Sequence, residues 1–453
     1  MRESPRHVAV LAFPFATHAA PLLALVRRIS KAAPAVKFSF FSTAQSNAAN
    51  FARSHDDENE AIKPYNVHDG LPEVYVFKGN PHEPVSYFLE ATPGNFRSAM
   101  EAAVAETGLE ITCLMTDAFY WFAAEMAEAM GVPWVPLWTA GPRALFVHVD
   151  APVIRQHMGI NVEHGLFAAP EDRTLDFLED FATTRVADLP DGIISGCTET
   201  PMLQMLDRVG VMIPRATAVA MNSFEELDPT VINILKSRFK KLLNVGPFIL
   251  TSPSSAAIPD EHGCLQWLDK QKPASVAYIS FGSVITPPPN EVEALADAME
   301  ASGFPFLWSF RGNAEEKLPK GFIERNRAKA KVVPWAPQLQ VLLHSSVGVF
   351  VTHCGWNSIL ESMNGGVPMI CRSFFGEQPL NKRTVEVVWK TGLGVDQFTK
   401  DGTMKALKVI LSSEEGKKMR ERIGVQRELA VNAVQSDGSS TENFKTLVQT
   451  VTN

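Results

Sequence analysis

The run Val347-Gly348-Val349-Phe350-Val351-Thr352-His353-Cys354-Gly355-Trp356-Asn357-Ser358 changes character halfway along. Its first six residues are near-continuously apolar and read as a strand buried on both faces, as in a parallel sheet. The polar turn after them leads into a short helix that contains Glu361 and ends at Gly365-Gly366. A strand, a polar turn and a helix N-terminus make a site for an anion. The first amides of a helix have no carbonyl in that helix to receive them, and the dipole lies behind them. His353, Asn357 and Ser358 would add side-chain donors, which suits a diphosphate. The plainer alternative is a capped helix, with Asn357 or Ser358 as cap and His353 as a turn residue.

Working outward, Val276 to Phe281, Phe306 to Phe310, Lys331 to Val333 and Pro368 to Cys371 repeat the apolar run, with helical intervals at Glu291 to Ser302 and Leu360 to Asn364. That alternation predicts a doubly wound parallel α/β domain. The first half shows the same rhythm at Val8 to Phe13, Phe38 to Phe41, Ile111 to Met115 and Val132 to Leu137, with a helical stretch at Phe119 to Met130. A helix is expected to start at Pro21, a favoured first helical residue. Between the halves, Gly246 to Gly263 is rich in proline and serine and reads as a linker. The expected organisation is therefore an N-terminal domain over 1–245, a linker over 246–263 and a C-terminal domain over 264–435. A terminal helix over 436–453 would carry Phe444, Leu447 and Val448 on one face, packing back towards the N-terminal domain. Two such domains leave a cleft at the carboxyl ends of their strands, where ligands bind in open sheets.

Composition narrows the function. The 453 residues carry 42 Lys and Arg against 50 Asp and Glu, a net charge of −8, so no broad cationic surface is available for nucleic acid. The 5 cysteines form no zinc or redox spacing and read as reduced thiols of a cytoplasmic protein. Val8 to Val26 is apolar enough to imitate a signal or membrane segment, but Pro14, Pro21 and His18 interrupt it. The acidic run Asp56 to Glu60 and the stretch Pro287 to Pro289 read as solvated loops. Neither half holds the Gly-x-Gly-x-x-Gly of a dinucleotide site or the Gly-x-x-x-x-Gly-Lys-Ser/Thr of a phosphate loop, which argues against a dehydrogenase or a kinase.

Trp335-Ala336-Pro337-Gln338 through Glu377-Gln378 closely resembles the signature box of plant secondary-product glycosyltransferases that use UDP-sugars, including the whole His353 to Ser358 run, Glu361, Gly366-Val367-Pro368 and Gln378. The resemblance implies a GT-B fold of two Rossmann-like domains. It implies that Trp335 stacks on uracil, that Ala336 and Gln338 meet base and ribose, and that Glu361 holds the ribose hydroxyls. His353, Trp356, Asn357 and Ser358, with Ser283 from another loop, fall at the diphosphate, and Glu377 and Gln378 at the sugar. An aromatic face under a flat base and a carboxylate accepting from two hydroxyls are apt chemistry for a ribosyl uracil.

The N-terminal half is similar to flavonoid 3-O-glucosyltransferases through His7 to Leu23, Asp69-Gly70-Leu71-Pro72, Thr116-Asp117-Ala118-Phe119 and Trp138 to Pro142. By that resemblance His18 is the base, Asp117 stands behind it, and Thr139 contacts the transferred sugar. Phe119, His148 and Phe375 line the acceptor pocket. From the residues alone, His18 lies just past a strand end and a histidine is a natural base near neutrality, while the alternatives are a loop histidine and a helix-capping Asp117. Ser373 and Glu377 replace the family's usual proline and aspartate, and His82 and Pro190 stand where glutamines can touch the acceptor.

The implied reaction is inverting transfer of glucose from UDP-glucose to the 3-hydroxyl of an anthocyanidin or flavonol. The chain has no Asp-x-Asp, and neither a metal nor another cofactor is expected. The expected partners are small molecules only, without nucleic acid or membrane insertion, and the expected state is a monomer. Two alternatives remain open: a catalytically silent protein that binds a sugar nucleotide or flavonoid, and a glucosyltransferase for an acceptor outside the flavonoids.

Overall fold

The computed structural model describes residues 6–51, 61–77, 82–160, 172–194, 200–251, 259–282 and 285–452, the His82 side chain excepted. Asp56 to Glu60, Cys197, Ser283 and the middle of the Gly246 to Gly263 stretch lie outside these residues. The chain divides into two units. One comprises Met1–Asp180, Asp191–Pro253 and Ala433–Asn453, the other Phe181–Pro190 and Ser254–Asn432.

In the first unit β1 (His7–Leu11), β2 (Lys37–Thr43), β3 (Ile62–Val67), β4 (Cys113–Asp117), β5 (Trp134–Trp138), β6 (Val219–Met221) and β7 (Leu242–Asn244) form one sheet. Its order is β3-β2-β1-β4-β5-β6-β7, and every pairing is parallel. β1, β4 and β5 are buried at every residue, which explains their unbroken apolar runs. The order reverses at β1, whose neighbours β2 and β4 lie on opposite sides, so β1 and β4 flank the switch point where ligands collect.

The second unit repeats the plan with β8 (Val276–Ser280), β9 (Phe306–Ser309), β10 (Ala330–Val333), β11 (Val347–Thr352), β12 (Met369–Cys371) and β13 (Gly392–Gly394). The order β10-β9-β8-β11-β12-β13 is again all parallel and reverses between β8 and β11. Both sheets are therefore doubly wound, as the apolar rhythm implied.

Details differ from the sequence expectation. The first helix runs Ala19–Ala32 and starts before Pro21. Proline is tolerated there because the amide it lacks would have had no acceptor in the first turn. The helix expected from Phe119 covers only Ala123–Met130. Residues before it are drawn into a turn, with the Phe119 amide donating to Asp117 Oδ1 at 2.9 Å. Pro289 is not loop but opens the helix Pro289–Ser302.

The terminal helix Ser439–Thr452 belongs to the first unit, where Leu447 and Val451 are fully buried in a core with Val8, Leu22, Val26 and Val245. Phe444 lies under the Arg28 guanidinium at 3.7 Å, and Arg28 donates to the Val245 carbonyl at 2.7 Å. Replacing Leu447 with Ala should destabilise the first unit by about 2–5 kcal/mol through lost transfer energy and a cavity. Chemical denaturation followed by intrinsic fluorescence checks this, and an unchanged midpoint would show that the helix is not part of that core.

Candidate active site

The switch point of the first unit brings His18 and Asp117 together. Leu11 pairs with Thr116 across β1 and β4, so Asp117 ends its strand beside the loop Ala12 to Thr17 that carries His18. His18 Nδ1 lies 2.8 Å from Asp117 Oδ2, and the Asp117 side chain is 1 % exposed against 18 % for His18. A carboxylate accepts only, so Nδ1 carries the proton and Nε2 is the nitrogen able to take one up. Asp117 Oδ1 is held by the Phe119 amide, which fixes the carboxylate. Thr139 Oγ1, just beyond β5, stands 3.3 Å from the same His18 nitrogen. The Phe119 and Phe13 rings flank the imidazole with centroids at 4.6 and 5.2 Å. An oriented base against an apolar aromatic wall suits a flat, weakly acidic hydroxyl compound.

His148 is buried in the helix Pro142–Val149 with its ring 5.4 Å from Trp138. Burial pushes its pKa down to about 4, so it is a neutral imidazole near pH 7. His82 opens the helix His82–Ala91, and its side chain falls outside the described residues.

In the second unit, helix Trp356–Gly365 begins directly after β11 and its turn. The cap is Gly355, with no side-chain capping bond, so Asn357 and Ser358 sit inside the first turn instead of capping it. Cys354 takes a left-handed conformation at φ 64°, uncommon for a residue with a Cβ, and the Asn381 amide holds its carbonyl at 3.0 Å. Asn381 escaped the sequence reading because its role depends on a contact made through space.

His353 packs between two glycines. A Cβ at Gly282 would approach its Cε1 to 2.8 Å, and one at Gly355 would approach Nε2 to 2.6 Å. No side chain fits at either place. Burial pushes the His353 imidazole down to about 4, and Nδ1 has no partner among the described residues. The ring is thus neutral, which makes it a hydrogen-bond donor towards an anion and not a positive charge. Trp356 is turned inward, buried beside Trp389 with ring centroids at 6.4 Å, so what it offers a ligand is its backbone at the helix start.

Trp335 follows β10 with its indole 47 % exposed, as a stacking platform requires, while Ala336 beside it is buried. The Gln338 side chain is committed within the protein: Nε2 donates to Ser358 Oγ at 3.1 Å and to Glu361 Oε2 at 2.5 Å, and Oε1 accepts from the Tyr278 hydroxyl at 3.2 Å. Burial lifts the Glu361 carboxyl to about 7 against the downward pull of the Gln338 amide. Gln378 Oε1 accepts from the Phe374 and Phe375 amides at 3.0 and 3.4 Å, which shapes the loop that leaves Phe375 47 % exposed. Glu377 precedes the helix Gln378–Arg383, and Ser373 is buried at the foot of the same loop. That helix also holds Phe181–Pro190 in this unit, with Arg383 Nε donating to the Thr183 carbonyl at 2.7 Å and lying 3.7 Å from Asp188 Oδ2. Pro190 is buried at the end of that segment. Ser283 lies outside the described residues.

Taken together, these residues make a hydrogen-bonded His-Asp pair in one doubly wound unit and, in the other, an amide-rich helix start with an exposed aromatic side chain and a buried carboxyl among its neighbours. The sequence matches the profile of the UDP-glucoronosyl and UDP-glucosyl transferase family over residues 46–423, and the chain belongs to that family. It is 53% identical over 447 residues to the flavonol 3-O-glucosyltransferase of Actinidia chinensis var. chinensis, covering 98% of this chain and 96% of the relative. It is equally 53% identical over 447 residues to the anthocyanidin 3-O-glucosyltransferase of Vitis vinifera, covering 98% and 97%. A crystal structure of UDP-glucose:anthocyanidin 3-O-glucosyltransferase in complex with UDP matches with a TM-score of 0.92 at 40% identity over 99% of each chain. The fold is accordingly of the GT-B class.

Among the described residues, no cluster of three His, Cys, Asp or Glu side chains is arranged to hold a metal ion, and no helix is long and apolar enough to cross a membrane. The two buried imidazoles yield a direct expectation. In side-chain nitrogen NMR spectra recorded from pH 8 down to pH 5.5, the His148 and His353 resonances should stay in their neutral positions, since both pKa values lie at about 4. A midpoint above pH 6 for either ring would contradict its desolvation.

Proposed function

We propose that this chain transfers glucose from UDP-glucose to the 3-hydroxyl of an anthocyanidin or flavonol, with inversion, His18 acting as base and no metal taking part. The His18 Nδ1 to Asp117 Oδ2 hydrogen bond of 2.8 Å carries the reading. A silent binding protein has no need of an oriented imidazole backed by a buried carboxylate. Identity of 53% over nearly the whole chain to enzymes named for flavonol and anthocyanidin 3-O-glucosylation supports the acceptor class.

In the reaction, His18 Nε2 removes the proton of the acceptor hydroxyl as that oxygen bonds to C1 of the glucose, on the face opposite the diphosphate. The bond from C1 to the diphosphate oxygen breaks, UDP departs with the electron pair, and a β-glucoside results. Asp117 stabilises the imidazolium that forms. Charge developing on the departing diphosphate is met by the first turn of helix Trp356–Gly365, by Asn357 and Ser358, by the neutral His353 and by Ser283. Trp335 and Ala336 hold the uracil, Gln338 and Glu361 act at the ribose, and Glu377, Gln378 and Thr139 meet the sugar. Phe119, Phe375, His148 and His82 contact the acceptor, which is a small molecule taken up by a cytoplasmic monomer.

The test incubates purified protein with UDP-glucose, or UDP-galactose in parallel, and a panel of cyanidin, delphinidin, kaempferol and quercetin, without added metal. Products are identified by mass and NMR. A 3-O-β-glucoside is expected, and His18→Ala should lower turnover at least about 100-fold while leaving UDP affinity unchanged. An α linkage, activity restored only by metal after chelation, or equal loss of UDP binding in His18→Ala would overturn the reading.

Glu361 adds a pH signature. Its carboxyl sits at about 7 before nucleotide binds, and ribose hydroxyls donate best to the ionised form. UDP affinity measured by calorimetry should therefore be constant above about pH 8 and weaken as pH falls through about 7. Glu361→Gln should bind more weakly and lose that slope. A slope unchanged in this variant would assign it to another group.

A further inference from the structure

We propose that Tyr278 is a positioning residue for nucleotide recognition, its hydroxyl holding the Gln338 amide in the one orientation that aims Glu361 at the ribose hydroxyls of a ribonucleoside diphosphate. The inference rests on Glu361 being the ribose-binding carboxylate, as in the function proposed above.

Tyr278 lies in the middle of β8, fully buried, with its ring stacked on Phe350 of β11 at 5.1 Å between centroids and 16° between planes. A phenol so placed needs a partner for its O–H, and Gln338 Oε1 provides it at 3.2 Å. The primary amide of Gln338 has an accepting oxygen and two N–H donors, and both ends are engaged. The oxygen receives Tyr278, while the nitrogen gives one hydrogen to Glu361 Oε2 at 2.5 Å and one to Ser358 Oγ at 3.1 Å.

Turned over, the amide would set its oxygen against the Glu361 carboxylate and lose both donated bonds. Tyr278, by donating to Oε1, adds to the preference that Glu361 and Ser358 set for this orientation. Two consequences converge on the ligand. Glu361 Oε2 is fixed by the amide, which orients the carboxylate for the ribose. Ser358, having accepted from Gln338, has its own hydroxyl proton to give elsewhere, and it stands in the first turn of the helix proposed to receive the diphosphate. One buried phenol thus orients a ribose contact and a phosphate contact through a single amide. Tyr278 does not touch the nucleotide in this arrangement, so removing its oxygen should act more on recognition than on the chemical step.

The experiment measures binding of UDP and of 2′-deoxy-UDP to wild type, Tyr278→Phe and Gln338→Met by calorimetry, with kcat and KM for UDP-glucose and a thermal melt for each protein. Wild type should prefer UDP over 2′-deoxy-UDP by about tenfold, the scale of a hydrogen bond to a charged group. Tyr278→Phe should bind UDP several-fold more weakly and 2′-deoxy-UDP by a smaller factor, narrowing the preference, with KM for UDP-glucose raised more than kcat falls. Gln338→Met, which removes the relay together with any direct ribose contact of Gln338, sets the upper limit of the loss, and a Tyr278→Phe protein that melts early is measured below its own transition. Retention of the full preference in Tyr278→Phe would overturn the positioning role while leaving the ribose assignment standing. If wild type itself does not distinguish the two nucleotides, Glu361 is not the ribose contact and both readings fall.

Discussion

Parallel pairing at the point where strand order reverses is the constraint on which the remaining chemistry hangs. Where β1 lies beside β4, and β8 beside β11, the connections leaving the two strands turn to opposite sides and uncover the carboxyl ends between them. The register Leu11 to Thr116 sets Asp117 at the height of the loop after β1, and the register Thr352 to Ser280 sets His353 against Gly282. A slip of one residue moves a side chain by roughly 3.3 Å and to the other face, so neither contact would survive it. The precision of the side chains is thus a property of the sheets.

The two units treat charge differently. In the first, a buried Asp117 carboxylate is hydrogen-bonded to the His18 imidazole at 2.8 Å. In the second, burial holds the His353 imidazole neutral and draws the Glu361 carboxyl up to about 7. An anion received by fixed amide dipoles needs little reorganisation of its surroundings as its charge grows. Neutral donors also release it more readily than a ring of cations.

Much of this was legible in the residues. Strands buried on both faces, such as β1, β4, β5, β8 and β11, announce themselves as apolar runs, and the two doubly wound sheets follow from their alternation with helices. Several short or peripheral strands do not, although the edge strand β10 and the three-residue β12 are legible. β3, Ile-Lys-Pro-Tyr-Asn-Val, is an edge strand with exposed Lys63 and a Pro64 that an interior strand would reject. β6 and β7 have three residues each, and β13 is Gly-Leu-Gly, so none offers a periodic signal. At the site, residues whose type suggests chemistry stood out, His18, Asp117, His353 and Glu361 among them. Tyr278 and Asn381 did not, because a tyrosine in a strand and an asparagine in a helix are unremarkable until their through-space partners are known. Trp356, expected at the diphosphate by resemblance, has its indole buried, which leaves its backbone at the helix start to make such a contact.

The way the chain is apportioned between the units bears on its synthesis. The first unit's core includes Leu447 and Val451, from the last helix, and the second takes Phe181–Pro190 from the first half. When Pro253 has left the ribosome, all strands of the first sheet exist, yet part of the apolar surface over Val8, Val26 and Val245 still awaits its cover. At roughly 5–20 residues per second, the remaining length takes about 10–40 seconds to emerge, during which the nascent chain presents an open face to chaperones. A termination event close to the end would leave two complete sheets and an unfinished core.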